Sequence, residues 1–301
     1  MVGTNIADIQ KVAVLIPCYN EALSIFKVIS DFQTTLPNAD IYVYDNNSTD
    51  DTAEIARKAG ATVRFVHQRG KGNVIRKMFA DIDADIYIMV DGDATYTAKD
   101  VILMIQKLQQ DKSDMVVAVR KAKSEASYPM FHVFGNNLFN FIMKFLFGGD
   151  FHDVFSGYRA FTKRFVKTFP VTTNGFDIEA ELSIHALTLS IPCSEIESEY
   201  LERPQNSHSK LNTIKDGFHI LISILRLFVD NKPLPFFSTI SILCLIFSSA
   251  LFIYNDTMSS NEFIISMIVI LISILSLFSG LILRYSSKIQ LEVKRILFLS
   301  H

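Results

Sequence analysis

Two aspartates separated by one glycine, Asp91-Gly92-Asp93, follow directly on the apolar run Ile86-Tyr87-Ile88-Met89-Val90. A short apolar, β-branched run reads as a buried strand. Carboxylates at the C-terminal edge of such a strand face the crevice where open α/β sheets bind ligands. Gly92 lets the backbone come close to a ligand there. Two hard oxygen donors suit Mg²⁺ or Mn²⁺, ions that usually arrive with a substrate's phosphates. Taken alone, the tripeptide reads more readily as a solvated turn, so its surroundings must decide.

Those surroundings predict an α/β fold. Val12–Ile16, Ile41–Tyr44, Thr62–Val66, Ile86–Val90 and Met115–Val119 read as strands. Between them, residues 22–36 repeat Leu23, Phe26, Ile29, Phe32 and Leu36 at helical spacing. Asp51 and Glu54 open a second helix that Gly60 stops, and a third starts at Asn73. Thr97 with Asp100 caps a fourth over residues 98–109. This alternation implies a mostly parallel sheet flanked by helices. The first, second and fourth strands all run into polar clusters: Pro17-Cys18-Tyr19-Asn20-Glu21, Asp45-Asn46-Asn47-Ser48-Thr49-Asp50 and Asp91-Gly92-Asp93. No G-x-G-x-x-G follows the first strand and no G-x-x-x-x-G-K-[ST] loop occurs. Both absences argue against dinucleotide dehydrogenases and P-loop enzymes.

Composition divides the 301 residues, which are 49% hydrophobic and 20% charged, into two parts. Charged residues are absent from Pro233 to Asn255 and again from Phe263 to Leu283. Each run, as a helix, spans about 30 Å, the thickness of a bilayer core. Both lie toward the C-terminus, so neither reads as a signal peptide. The connector Asp256–Glu262 has no Lys or Arg, whereas Lys232, Arg284, Lys288, Lys294 and Arg295 flank the runs. Positive-inside logic then puts both flanks, and the large N-terminal part, in the cytoplasm. Residues 121–130 read as a loop over the site. Phe131–Phe147 fits either a core helix or a helix in the membrane interface. Residues 213–229 carry an apolar stripe of Phe218, Leu221, Ile222, Leu225 and Phe228. Cys18, Cys193 and Cys244 show no paired or metal-ligand spacing, and a net charge of −2 offers no footprint for nucleic acid.

Taken together, several of these stretches resemble one family. Ile16-Pro17-Cys18-Tyr19-Asn20-Glu21, Asp45 through Asp50 and Asp91-Gly92-Asp93 are similar to family 2 glycosyltransferases of the GT-A fold. Asp153-Val154-Phe155-Ser156-Gly157-Tyr158-Arg159, Gly175 through Glu181, and Glu202-Arg203-Pro204 leading to Ser209-Lys210-Leu211 narrow the resemblance to polyprenyl-phosphate glycosyltransferases, such as dolichyl-phosphate mannose synthase. The resemblance implies a GT-A type sheet, then interfacial helices and two C-terminal transmembrane helices. Its expected divisions are a cytoplasmic catalytic domain (1–212), an interfacial amphipathic helix (213–232), a two-helix transmembrane region (233–288) and a cytoplasmic tail (289–301).

It also implies roles. Pro17, Tyr19, Glu21, Asp45 and Asn47 would line the nucleoside pocket, with Arg69 nearby and Lys71 and Gly92 near the donor's phosphates. Asp93, supported by Asp91, would hold Mg²⁺ or Mn²⁺. Such families can complete the metal shell with a Gln two residues on; Thr95 stands there instead, leaving that place to water. Arg120, Ser156, Arg159, Arg203, Ser209 and Lys210 would bind the acceptor's phosphate, and Asp91, Asp93 and Arg159 would be the catalytic set. Glu179 and Glu181, two apart in a helix, cannot share a face, so at most one would reach the site. The implied reaction is inverting transfer of a hexose from a nucleotide sugar, UDP-linked rather than GDP-linked, to undecaprenyl or dolichyl phosphate. The product would serve cell-envelope glycan or glycoprotein synthesis, at a bacterial inner membrane. A homo-oligomer is compatible with the sequence. Processive polysaccharide synthases carry a Gln-x-x-Arg-Trp motif and more spans, and this chain has no tryptophan. A catalytically silent nucleotide-sugar-binding membrane scaffold is the remaining alternative, against which intact Asp91, Asp93 and Arg159 argue.

Overall fold

The computed structural model describes residues 10–122, 130–205, 213–254 and 259–300. Its strands are β1 (Val12–Cys18), β2 (Asp40–Asp45), β3 (Thr62–Phe65), β4 (Ile86–Met89), β5 (Met115–Ala122), β6 (Arg159–Thr162) and β7 (Cys193–Tyr200). They form one sheet in the order β3-β2-β1-β4-β6-β5-β7. All pairings are parallel except those of β6, which runs against both β4 and β5. The helices are α1 (Ile25–Thr35), α2 (Thr52–Lys58), α3 (Lys71–Asp81), α4 (Asp100–Gln110), α5 (Met130–Phe147), α6 (Lys163–Thr168), α7 (Ile178–Leu189), α8 (Thr213–Asn231), α9 (Pro233–Tyr254) and α10 (Ser260–Ser300).

Central strands covered on both faces must be apolar throughout, and β4 is buried along its whole length. α4 turns Val101, Met104, Ile105 and Leu108 to the sheet, one stripe at helical spacing. α1 buries Ile25, Val28, Ile29 and Phe32. That face differs from the predicted one: Leu23 lies before the helix and Phe26 falls off the Ile25-Val28-Ile29-Phe32 stripe, so both are exposed. Nor does Thr97 cap α4, whose N-cap position is Lys99 and lacks a side-chain cap bond.

Strand order reverses between β1 and β4, β1 leading toward β2 and β3 and β4 toward the other edge. The crevice at the carboxyl ends of such a pair is where doubly wound sheets hold ligands. Because β6 is reversed, its first residue, Arg159, lies opposite Met89 at the end of β4. The turn preceding β6 is thereby delivered to that same crevice.

The chain divides into two compact units, Met1–Ile224 with Leu297–His301, and Leu225–Ile296. The division falls inside α8 rather than before it. In the second unit α9 and α10 pair through buried hydroxyls, Ser241 with Ser273 at 2.8 Å and Ser248 with Ser266 at 2.5 Å. Small hydroxylated residues let helix backbones approach while satisfying their own polar atoms. Pro233–Ile253 and Ser260–Ser300 are long and apolar enough to cross a membrane, and only 11% and 22% of their most apolar windows are buried, unlike core helices. α10 runs unbroken for 41 residues, so the predicted separate tail at 289–301 continues the second apolar helix to Ser300. In the first unit α5 exposes Phe141 and Phe145 while burying Met143 and Phe147, so it is not a wholly buried core helix. α8 leaves Phe218 and Ile222 exposed, as its predicted stripe requires. The predicted loop over the site falls mostly on residues 123–129, outside the described residues; Lys121 and Ala122 belong to β5.

Candidate active site

The crevice between β1 and β4 is built from strand ends. After β4 the chain reaches Asp91, with its side chain 29% exposed, and Asp93, nearly buried at 5%. Gly92 sits so close under β1 that a Cβ there would stand 2.7 Å from the Cys18 sulfur. Ser24, just before α1, donates to the Gly92 carbonyl at 2.7 Å. Ala94 has φ of 59°, a left-handed turn that brings Thr95 back onto Asp93. Thr95 Oγ1 and N both donate to Asp93 Oδ1, at 2.6 and 3.1 Å. Thr95 therefore orients the carboxylate.

Lys71, the first residue of α3, enters from the other side. Its ammonium lies 2.5 Å from both Asp91 Oδ1 and Glu179 Oε1. Burial alone would lower the lysine's pKa, but the two carboxylates outweigh it and hold the ammonium charged. Burial pushes Glu179 up despite Lys71, and Asp91 adds to that shift. Glu181 faces elsewhere, taking donors from Thr172 and Thr173. As expected from their spacing, one glutamate of the pair reaches the site. Burial and the charge of Asp91 likewise raise Asp93, opposed by Arg203 and Thr95. Arg203 lies after β7 and sets Nη2 2.5 Å from Asp93 Oδ2.

The nucleoside-pocket candidates gather at the ends of β1 and β2. Pro17 lies in β1 and is half-buried, and Glu21 is buried with its backbone N–H donating to Thr52 Oγ1. Tyr19 takes the Arg69 guanidinium over its ring at 5.8 Å. Asp45 Oδ2 accepts from the Ser48 N–H, while its buried Oδ1 has no hydrogen-bond partner among the described residues. An orphaned buried carboxylate oxygen is costly unless a ligand donor meets it. Asn47, at φ 64°, spends its amide N–H on the carbonyls of Val66 and His67. Asn46, which sequence reasoning did not single out, clasps the same loop: Nδ2 donates to Val66 and Gln68 carbonyls, and Oδ1 accepts from the Gly70 N–H. The two asparagines thus fix the segment that ends in Lys71. Nothing in the Asn-Asn pair itself distinguished a clasp from a turn.

Three expected acceptor-phosphate residues are engaged by the protein's own groups. Arg159 is fully buried. Its guanidinium donates to the Ser156 and Val154 carbonyls at 2.9 and 2.7 Å and to Ser183 Oγ at 3.0 Å. It braces the turn from behind, with these donors spent on the protein's own acceptors. Ser156 is equally buried, its hydroxyl donating to the Ala118 carbonyl at 2.5 Å. Arg120 is held by Asp153 through two bonds of 2.7 and 2.8 Å. Ser209 and Lys210 lie outside the described residues. Between these braces sits Gly157, where a Cβ would stand 2.3 Å from Asp91 Oδ2. Its glycine therefore lets the reversed strand's turn press against the carboxylate. The Ser-Gly-Tyr-Arg context hinted at this importance without revealing its cause.

No group of three or more His, Cys, Asp or Glu gathers to hold a metal among the described residues. What the site offers is Asp93 and Asp91, hard oxygen donors close enough for one charge to shift the other. That donor set fits Mg²⁺ or Mn²⁺ completed by phosphate and water oxygens.

The glycosyl transferase family 2 model matches residues 13–169, from β1 through the end of α6. The chain belongs to that family. The glycosyltransferase AglJ of Haloferax volcanii is 36% identical over 231 residues, covering 76% of each chain. The dolichyl-phosphate hexose transferase of the same organism is 28% identical, over 73% of this chain and 95% of the relative. Glucosyl-3-phosphoglycerate synthase of Mycobacterium tuberculosis, solved with Mn²⁺, UDP and phosphoglyceric acid, superposes with a TM-score of 0.61 at 19% identity. That match covers 73% of this chain and 78% of the synthase, and shows a shared GT-A-like fold.

In this family 2 glycosyltransferase, Arg159→Met should destabilise the fold by about 3–5 kcal/mol, since carbonyls lose their buried cationic donor. Thermal unfolding in detergent would measure it; an unchanged melting temperature with a raised acceptor KM would restore Arg159 to the substrate. Gly157→Ala should displace Asp91 and lower kcat/KM by on the order of 10²-fold. Circular dichroism should stay as in the wild type.

Proposed function

We propose that the chain transfers a hexose from a nucleotide sugar to a polyprenyl phosphate, with inversion at the anomeric carbon. The observation that carries this reading is the Asp91–Asp93 pair at the sheet's switch point, framed by Lys71 and Arg203. The dolichyl-phosphate hexose transferase, 28% identical over nearly its whole length, supports a lipid-phosphate acceptor. So do α9 and α10. We take the donor to be UDP-linked; the glucosyl-3-phosphoglycerate synthase of similar fold was solved with UDP.

In this reading Asp45 Oδ1 accepts an N–H of the base, and Glu21 and Tyr19 close the nucleoside pocket. Lys71 faces the diphosphate as a point charge. Asp93 and Asp91 would hold Mg²⁺ or Mn²⁺, which would supply positive charge for the departing diphosphate. An oxygen of the lipid phosphate attacks the anomeric carbon, the bond from that carbon to the diphosphate oxygen breaks, and the nucleoside diphosphate leaves with the electron pair. The nucleophile needs no general base, because a phosphate monoester with a second pKa near 6 is largely dianionic at neutral pH. Holding it is work for an arginine, and Arg203 is the site's best-placed one. The catalytic unit works on the cytoplasmic side of a bacterial inner membrane, with α9 and α10 as anchors and the apolar faces of α5 and α8 at the headgroups.

Detergent-solubilised protein given radiolabelled nucleotide sugars, Mg²⁺ and undecaprenyl phosphate should yield lipid-extractable label with one donor. Donor binding without such label from any donor in the panel would favour a silent scaffold. Asp93→Ala should drop metal-dependent turnover to background in a folded protein; near-normal turnover would remove Asp93 from the mechanism.

A further inference from the structure

Arg203 does more than an acceptor-binding side chain requires. Its guanidinium and the Asp93 carboxylate meet at 2.5 Å, with side chains only 27% and 5% exposed. Asp93's other oxygen is taken by Thr95. Each oxygen of the favoured metal-binding carboxylate thus already has a donor from the chain itself. Lys71 makes the same kind of provision for Asp91 and Glu179. A divalent ion and a guanidinium cannot share Asp93 Oδ2 without strong repulsion at the reduced dielectric of a buried site. Arg203 can be the one to move, since it lies past β7 in a stretch without helix or strand, beside Pro204. Its planar fork of donors matches a phosphate as well as a carboxylate.

We propose that Arg203 is an exchangeable counter-cation: it neutralises Asp93 until a divalent ion with the donor diphosphate displaces it, and the released guanidinium then binds the acceptor's phosphate. The second half rests on the lipid-phosphate acceptor of the preceding subsection; the first does not. Donor loading then raises acceptor affinity, and linkage makes the effect reciprocal. Simple field effects predict the opposite sign, because Mn²⁺ with UDP carries roughly one net negative charge and repels a second anion.

The test uses the full chain in detergent without any sugar. Mn²⁺ binding, followed by electron paramagnetic resonance, should be roughly three- to tenfold tighter in Arg203→Gln than in the wild type, the size of about 0.7–1.4 kcal/mol of lost competition. Equal or weaker Mn²⁺ binding in a variant with wild-type circular dichroism overturns the proposal. If Arg203→Gln fails to fold, Arg203→Lys serves, with smaller tightening expected. Farnesyl phosphate binding is then measured with and without Mn²⁺ and UDP. The wild type should bind it several-fold tighter with them, and Arg203→Gln should lose that gain. Wild-type binding indifferent to Mn²⁺ and UDP overturns the hand-over. Failure to bind farnesyl phosphate under any condition overturns both the hand-over and the acceptor reading, while the Mn²⁺ comparison still decides the competition at Asp93.

Discussion

Charge balance in a partly buried crevice is the constraint on which the rest of the structure depends. Asp91, Asp93 and Glu179 are carboxylates gathered around two cations, Lys71 and Arg203. An ion left unpaired in such a place costs several kcal/mol, so each carboxylate must have a positive charge placed beside it. Much of the surrounding architecture serves that placement. The Gly72 N–H bonds the carbonyls of Asn174 and Gly175, tying the first turn of α3 to the segment before α7. Arg76 grips the same segment through the Val171 and Thr173 carbonyls, and Glu181 pins Thr172 and Thr173. Glu181 thus helps Lys71 without touching it, while Glu179 touches it directly.

Topology supplies the other half of the site. Parallel strands end together, so β1, β2 and β4 release their polar residues along one edge. A reversed strand begins where its neighbours end. β6 therefore contributes what precedes it, the Ser156-Gly157 turn, and Arg159 braces that turn from within the core. Tyr96 completes the arrangement by accepting the Gly157 N–H at 3.1 Å.

β1, β2, β4 and β5 were legible in the sequence, because burial on both faces leaves little but apolar composition available, and β3, a largely exposed edge strand, was legible from its β-branched start Thr62-Val63. β6 and β7 were not: Arg159–Thr162 is a short run that opens on a charged residue, and Cys193–Tyr200 alternates glutamates with buried Ile196 and Ser198 like an edge strand. Asp91, Asp93 and Lys71 could be found because each sits at an element's end in a chemically suggestive cluster. The fate of the arginines could not be read that way. Arg159 and Arg203 look alike in sequence, and only the reversed β6 sends one into the core and leaves the other at the crevice. Asn46 was likewise invisible, since its three partners lie 20 to 24 residues away.

With α10 read as a membrane span, its unbroken course has a consequence for how the chain would sit in a bilayer. Its uncharged stretch from Phe263 to Leu283 matches a hydrocarbon core, and Arg284 follows in the same hydrogen-bonded helix. With no joint between them, the helix behaves as a graduated rod: sliding it inward by a turn drags Arg284 toward the acyl chains, at a cost reaching roughly 2.5–3.5 kcal/mol at the midplane. Sliding it outward strands leucines in water at about 1.5–3 kcal/mol apiece. Immersion depth is then written into the rod's own markings, and a thinner or thicker membrane must be met by tilt.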